Sequence, residues 1–196
     1  MKRDILGLVL SGGHSRRMGE DKARMHFHGE LDQLEFCLQL LGKYCSRLAV
    51  SVREDQLMER SQATNVECLV DDPFAFGPMA GVLAGLRVSE GLPVLAIACD
   101  MPHLDASLLL SLVCRRNSEM HATCFSASDG APEPMCTIYE PSCRPLLEAL
   151  AKEQSYSLRR FLKEGIVERL AYEESASLAN VNTPEEAEIA RKQIDL

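Results

Sequence analysis

Short apolar runs of strand length alternate with helix-patterned segments along the whole chain, and this alternation restricts the fold more than any other feature of the sequence. The runs are Ile5 to Leu10, Leu48 to Val52, Val66 to Val70, Val94 to Ala98, Ala122 to Ala127 and Cys136 to Tyr139, each with turn residues nearby. Between them Leu34, Cys37, Leu38, Leu41 and Cys45 recur at helical spacing, and Leu108, Leu109, Leu112 and Val113 repeat the stripe ahead of Arg115 and Arg116. Such alternation is the sequence form of βαβ units building a largely parallel sheet. Thr183-Pro184-Glu185-Glu186 reads as a capping box with proline at the first helical position, which predicts a final helix from Pro184 towards Lys192. No repeat or linker interrupts the 196 residues, so one domain is expected, large enough to bury on the order of 70% of its unfolded surface without a metal or disulfide staple.

Composition narrows the function. The formal net charge of −8 argues against a surface broadly adapted to nucleic acid or anionic lipid, so an anionic substrate must meet a local basic pocket. Eight cysteines are scattered singly, with no C-x-x-C pair, which reads as small buried hydrophobes in a reducing compartment. The apolar run after Met1-Lys2-Arg3 is too short for a signal-peptide core, and no stretch reaches the ~18 apolar residues of a membrane helix. A cytoplasmic protein that acts on neither membranes nor nucleic acid is expected. The five histidines make no metal spacing; Cys99 with His103 lacks a second pair.

In parallel sheets, ligands bind outside the carboxyl ends of the strands. The first strand runs into Leu10-Ser11-Gly12-Gly13-His14-Ser15-Arg16-Arg17-Met18-Gly19-Glu20-Asp21-Lys22, a glycine-rich turn that becomes basic. Paired glycines let backbone N–H groups approach an anion, and Arg16, Arg17 and Lys22 supply charge. The loop is neither a Walker A motif nor G-x-G-x-x-G. Taken alone, it is also compatible with a solvated basic turn. Asp100 follows the buried run Val94 to Ala98, in Cys99-Asp100-Met101-Pro102, where a carboxylate can hold Mg²⁺ or merely cap a turn. Asp71-Asp72 follows another run and precedes Gly77-Pro78-Met79-Ala80-Gly81. Asn180 and Asn182, before the capping threonine, are turn formers by local chemistry.

The pattern L-x-G-G-x-S-x-R-M-G-x-D-K, carried by Leu10, Gly12, Gly13, Ser15, Arg17, Met18, Gly19, Asp21 and Lys22, resembles that of the molybdenum cofactor nucleotidyltransferases, and specifically their guanylyltransferase (MobA) branch. Cys99-Asp100-Met101-Pro102, Gly77 to Gly81, Pro132-Glu133-Pro134-Met135, Ser157 to Leu162 and Asn180 to Glu186 extend the resemblance over nearly the whole chain. It implies a Rossmann-like, three-layer α/β/α sandwich of nucleotidyltransferase type. The implied reaction transfers GMP from GTP to molybdenum-molybdopterin, with pyrophosphate leaving. Leu10, Ser11, Gly12, Gly13, Lys22, Asp71 and Asp100 would hold the nucleotide, and Asp100 the Mg²⁺. Lys22, Arg17 and Asp100 would be catalytic, Asn180 and Asn182 would lie on the pterin side, and delivery proteins or molybdoenzymes would take the product. Asp72 stays open as an alternative to Asp71. Two departures from the family pattern are Glu30, in Gly29-Glu30-Leu31-Asp32 where Gly-Lys-Pro-Leu is usual, and Ser51, where some members carry asparagine. A cytidylyltransferase of the same pathway usually has Leu-Ala-Ala-Gly in place of Leu10-Ser11-Gly12-Gly13. Sugar-nucleotide pyrophosphorylases share the loop type but are usually longer. A silent nucleotide-binding protein is the competing class.

Overall fold

The computed structural model describes residues 3–13, 21–127, 129–172 and 176–194. Elements follow in the order β1 (Arg3–Leu10), β2 (His26–His28), β3 (Leu31–Asp32), α1 (Gln33–Gly42), β4 (Cys45–Val52), α2 (Leu57–Ala63), β5 (Glu67–Val70) and α3 (Pro78–Val88). After these come β6 (Val94–Ala98), α4 (Ala106–Cys114), β7 (Ala122–Ser126), β8 (Pro132–Tyr139), α5 (Arg144–Lys152), α6 (Leu158–Glu164), β9 (Val167–Ala171) and α7 (Pro184–Ile194).

Seven strands form one sheet in the order β5-β4-β1-β6-β8-β7-β9, and only β8 runs against the others. The mostly parallel α/β architecture expected from the alternation is therefore present. Both faces are covered. Ile5, Val9, Leu95 and Ile97 pack with α1 and α4, whereas Leu6, Leu8, Leu10, Val94 and Ala96 pack with α3, α5 and α6. This two-sided burial makes β1 and β6 continuous apolar runs rather than alternating ones.

The chain goes outward from β1 to β4 and β5, then crosses back to lay β6 on the other side of β1. That reversal opens a crevice at the carboxyl ends of β1 and β6. Leu10 is in register with Ala98, and the Cys99 N–H donates to the Leu10 carbonyl at 3.3 Å, so the glycine loop and Asp100 leave the sheet side by side.

Cys45 does not belong to the α1 stripe. The helix ends at Gly42, and Cys45 opens β4 opposite Arg3, whose N–H donates to the Tyr44 carbonyl at 2.8 Å. Strand β8 begins at Pro132, earlier than Cys136. Six of the eight thiols are buried and none is bonded to another. Burial pushes up the thiols of Cys37, Cys99, Cys124, Cys136 and Cys143, that of Cys124 to about 11 and that of Cys143 to about 12, which suits packing rather than chemistry. The Thr183 capping box forms as expected: Thr183 Oγ1 accepts from the Glu186 N–H at 3.2 Å, and Glu186 Oε2 accepts from the Thr183 N–H at 3.2 Å. Through Ala187 and Ala190, α7 packs on Met25 and Phe27, so the segment carrying Asn182 is fastened to the β2 region.

Candidate active site

A cleft of about 780 Å³ opens at these strand ends, and Leu10, Ser11, Gly12 and Gly13 form one wall. The Ser11 N–H donates to the Ser51 carbonyl at 3.0 Å, extending the β1–β4 pairing into the loop. The Ser11 hydroxyl is buried and has no hydrogen-bond partner among the described residues, a donor available to something bound in the cleft. Asp71 leaves β5 with its N–H on the Val52 carbonyl at 2.9 Å and its Oδ1 accepting from the Ser51 hydroxyl. A Cβ at Gly12 would lie 2.5 Å from Asp71 Oδ2, and one at Gly81 would meet Ser51 Oγ and lie 2.6 Å from Leu10 Cδ2. Both glycines thus let backbone approach the Ser51–Asp71 pair closely. Ser51, one of the two departures named above, lines the cleft and orients this carboxylate.

Burial raises the Asp71 carboxyl above its ordinary range, against the opposing pull of the Ser51 hydroxyl and the Arg53 charge. The folded chain therefore holds a proton there more readily than the unfolded chain. Stability is lost as pH rises from the ordinary value of 3.8 through the raised one, and the loss is complete above it. Asp71→Asn is expected to melt at a higher temperature than the parent at pH 7, with the gap closing towards pH 4. A gap that widens in acid contradicts this.

At the mouth between β1 and β6, Lys22 Nζ donates to Asp100 Oδ2 at 3.1 Å and to Asn182 Oδ1 at 2.8 Å. Three distant segments meet at one ammonium group. Each is braced. Asp21 caps the short turn that carries Lys22, accepting from the Ala23 N–H at 3.0 Å, and its other oxygen pairs with the buried Arg60. The Asp100 carbonyl accepts from the Val181 N–H at 2.8 Å, and Glu186 Oε2 accepts from the Asn182 N–H at 2.6 Å.

Other sequence candidates fall elsewhere. Asp72 turns into the protein, where it pairs with Arg87 and accepts from the Phe74 N–H at 2.9 Å; Asp71 alone of the two lines the cleft. Asn180 is exposed and does not line it, unlike Asn182. Glu30 sits in the exposed turn between β2 and β3, away from the lining. Arg17, with the rest of residues 14–20, lies outside the described residues. Cys99 lines the cleft, but burial pushes its thiol up to about 12, and among the described residues no group of three His, Cys, Asp or Glu can hold a metal.

Residues 7–171 match the MobA-like NTP transferase domain. The chain belongs to this family. A molybdenum cofactor guanylyltransferase from Mesorhizobium japonicum is 32% identical over 203 residues, covering 97% of each protein. A molybdenum cofactor biosynthesis bifunctional protein from Synechocystis is 32% identical over 186 residues, 93% of this chain and 52% of that protein, so the chain spans about half its length. In fold, the molybdopterin-guanine dinucleotide biosynthesis protein A of Archaeoglobus fulgidus superposes with a TM-score of 0.81 at 23% identity, covering 97% of this chain and 98% of that one. The chain is thus a MobA-like nucleotidyltransferase, and the architecture expected from its sequence is that of its relatives.

Sequence reasoning missed two arginines of this MobA-like site. Arg53 directs one nitrogen at the Gly12 and Gly13 carbonyls, and Arg60 anchors Asp21. Arg53 had a signal, since it stands directly beyond the carboxyl end of β4. Arg60 had none, because an arginine within a short polar helix reads as solvated surface.

Proposed function

We infer that this chain transfers GMP from GTP to molybdenum-molybdopterin. The terminal phosphate of the pterin attacks the α-phosphate of GTP, and pyrophosphate leaves. The observation that carries the reading is the meeting of Lys22, Asp100 and Asn182 at the mouth of a cleft whose other wall is the glycine loop. The curated relatives whose names specify guanylyl transfer support the choice of nucleotide. Gly12 supports it over the cytidylyl branch, because alanine there would press on Asp71.

The charge of Lys22 stabilises the phosphates as negative charge moves to the leaving pyrophosphate, and Asn182 and Asp100 hold the ammonium in place beforehand. Arg17 assists from the basic loop. The Ser11 hydroxyl and the loop amides orient the triphosphate. On the pterin side, Asn182 places the attacking phosphate from the cleft mouth. The family implies a divalent ion, and Mg²⁺ fits the residues present: Asp100 is a hard oxygen donor in the cleft, and such an ion binds through one or two carboxylates plus substrate phosphates. When bound, it would neutralise phosphate charge. The chain acts as one nucleotidyltransferase domain in the cytoplasm and hands its product to a delivery protein or molybdoenzyme. Among the described residues no helix is long and apolar enough to cross a membrane.

Thermal unfolding with nucleotides tests this reading. GTP with Mg²⁺ at a hundredfold excess over Kd is expected to add about 2.7 kcal/mol of stability, whereas CTP at the same concentration adds little. An equal shift with CTP moves the chain to the cytidylyl branch. Binding of GTP without turnover marks a silent binder.

A further inference from the structure

We propose that Arg53 is a positioning residue that, anchored by Asp55, holds the Gly12 and Gly13 carbonyls turned aside so that the loop presents donors to the nucleotide's phosphates. Its Nη1 donates to both carbonyls, at 3.0 Å each, while Nε and Nη2 grip the two oxygens of Asp55 at 2.9 Å each. A guanidinium has five N–H donors in a fixed planar fork, and four are engaged here. The fork is committed to shaping the loop rather than left open for a ligand.

The consequence follows from peptide geometry. In a trans peptide the N–H lies opposite the carbonyl, and the described residues contain no cis bond. Fixing the Gly12 carbonyl on Arg53 therefore turns the Gly13 N–H to the other side. Among the described residues neither the Gly12 nor the Gly13 N–H finds an acceptor, and the buried Ser11 hydroxyl beside them has no partner there either. A run of donors turned to one side of a pinned backbone, and unengaged among the described residues, is the arrangement that cradles anions. Without the brace, two adjacent glycines would lose this conformation readily, since glycine is the most permissive residue in φ and ψ. Gly12 is also closely packed, since a Cβ there would lie 2.5 Å from Asp71 Oδ2 and 3.7 Å from Arg53 Cγ.

The proposal rests on the nucleotide reading of the cleft, and the test separates the two. Affinities for GTP with Mg²⁺ and for guanosine, which lacks phosphates, are measured by calorimetry on the wild-type chain, Arg53→Ala, Arg53→Lys and Asp55→Ala, with melting temperatures alongside. Arg53→Ala is expected to weaken GTP about tenfold, the effect of losing a fixed hydrogen-bonding group, while guanosine changes less than about twofold. Arg53→Lys should recover part of the loss, and Asp55→Ala should weaken GTP about threefold, since a freed arginine no longer pins the loop. If Arg53 fails to fold as alanine, Asp55→Ala decides the matter, because Asp55 is largely exposed and outside the cleft. Tighter or unchanged GTP binding in Asp55→Ala overturns the brace and makes Arg53 a direct phosphate ligand. Equal losses for GTP and guanosine also overturn it, leaving Arg53 a general structural role. Failure of the wild-type chain to bind GTP overturns the functional reading and the brace together.

Discussion

Lys22→Ala is expected to lower turnover by roughly 10²–10³-fold, equivalent to about 2.7–4 kcal/mol of transition-state stabilisation, the range measured when one preorganised donor is removed from an active site. The charge is held by Asp100 at 3.1 Å and Asn182 at 2.8 Å before substrate arrives, so it needs no reorganisation during transfer. The loss should appear mainly in kcat, because charge on the leaving pyrophosphate grows in the transition state. Steady-state release of pyrophosphate checks this. Asp100→Ala should also be strongly impaired, since it removes the ammonium's charged anchor and the strand-end carboxylate together. The double variant should lose less than the sum of the two, as expected of groups that act as a unit. Fully additive losses, or turnover within threefold of wild type in Lys22→Ala, contradict the assignment.

The second large effect concerns stability. The Asp72 side chain is fully buried and pairs with Arg87, whose side chain is 37% exposed. Removing one partner of a buried pair strands the other charge and costs about 3–5 kcal/mol; the partial exposure of Arg87 places Arg87→Leu near 3 kcal/mol. For a chain of this size that lowers the melting temperature by roughly 6–12 °C. Adding Asp72→Asn should restore much of the loss, because the stranded charge is removed. GTP affinity below the melting range should stay within about twofold, since neither residue lines the cleft. Calorimetric unfolding together with nucleotide titration reads both quantities. A large drop in affinity without a drop in stability would place Asp72 among the nucleotide ligands after all.

The parts of the fold legible in the sequence were those buried on two sides. Strands β1 and β6 contain little but apolar residues because helices cover both faces, and their end residues, Ser11 and Asp100, inherit a known position in the sheet. Strand β9 was not legible: Val167–Ala171 mixes charged and apolar residues at the edge of the sheet, paired only with β7. Cys45 misled because a spacing of four from Leu41 is helical on paper, although the chain turns at Lys43 and Tyr44. At the site, motif residues indicated which segments converge, but not the direction of adjacent side chains. Asp71 and Asp72 are consecutive aspartates with opposite fates, one facing the cleft and one facing Arg87, and only the packing of α3 separates them. The bracing arginines stayed hidden for a related reason. Arg53 and Arg60 act on the backbone or side chains of residues about forty positions away, a distance over which local patterns carry no information.

Nucleotidyl transfer itself is tested by incubating the chain with GTP, Mg²⁺ and molybdenum-loaded molybdopterin and quantifying pyrophosphate and dinucleotide, with CTP and Asp100→Ala in parallel. A guanine dinucleotide and stoichiometric pyrophosphate are expected from GTP, with little product from CTP and a severe loss in Asp100→Ala. A preference for CTP, or product formation undiminished in Asp100→Ala, would contradict this reading.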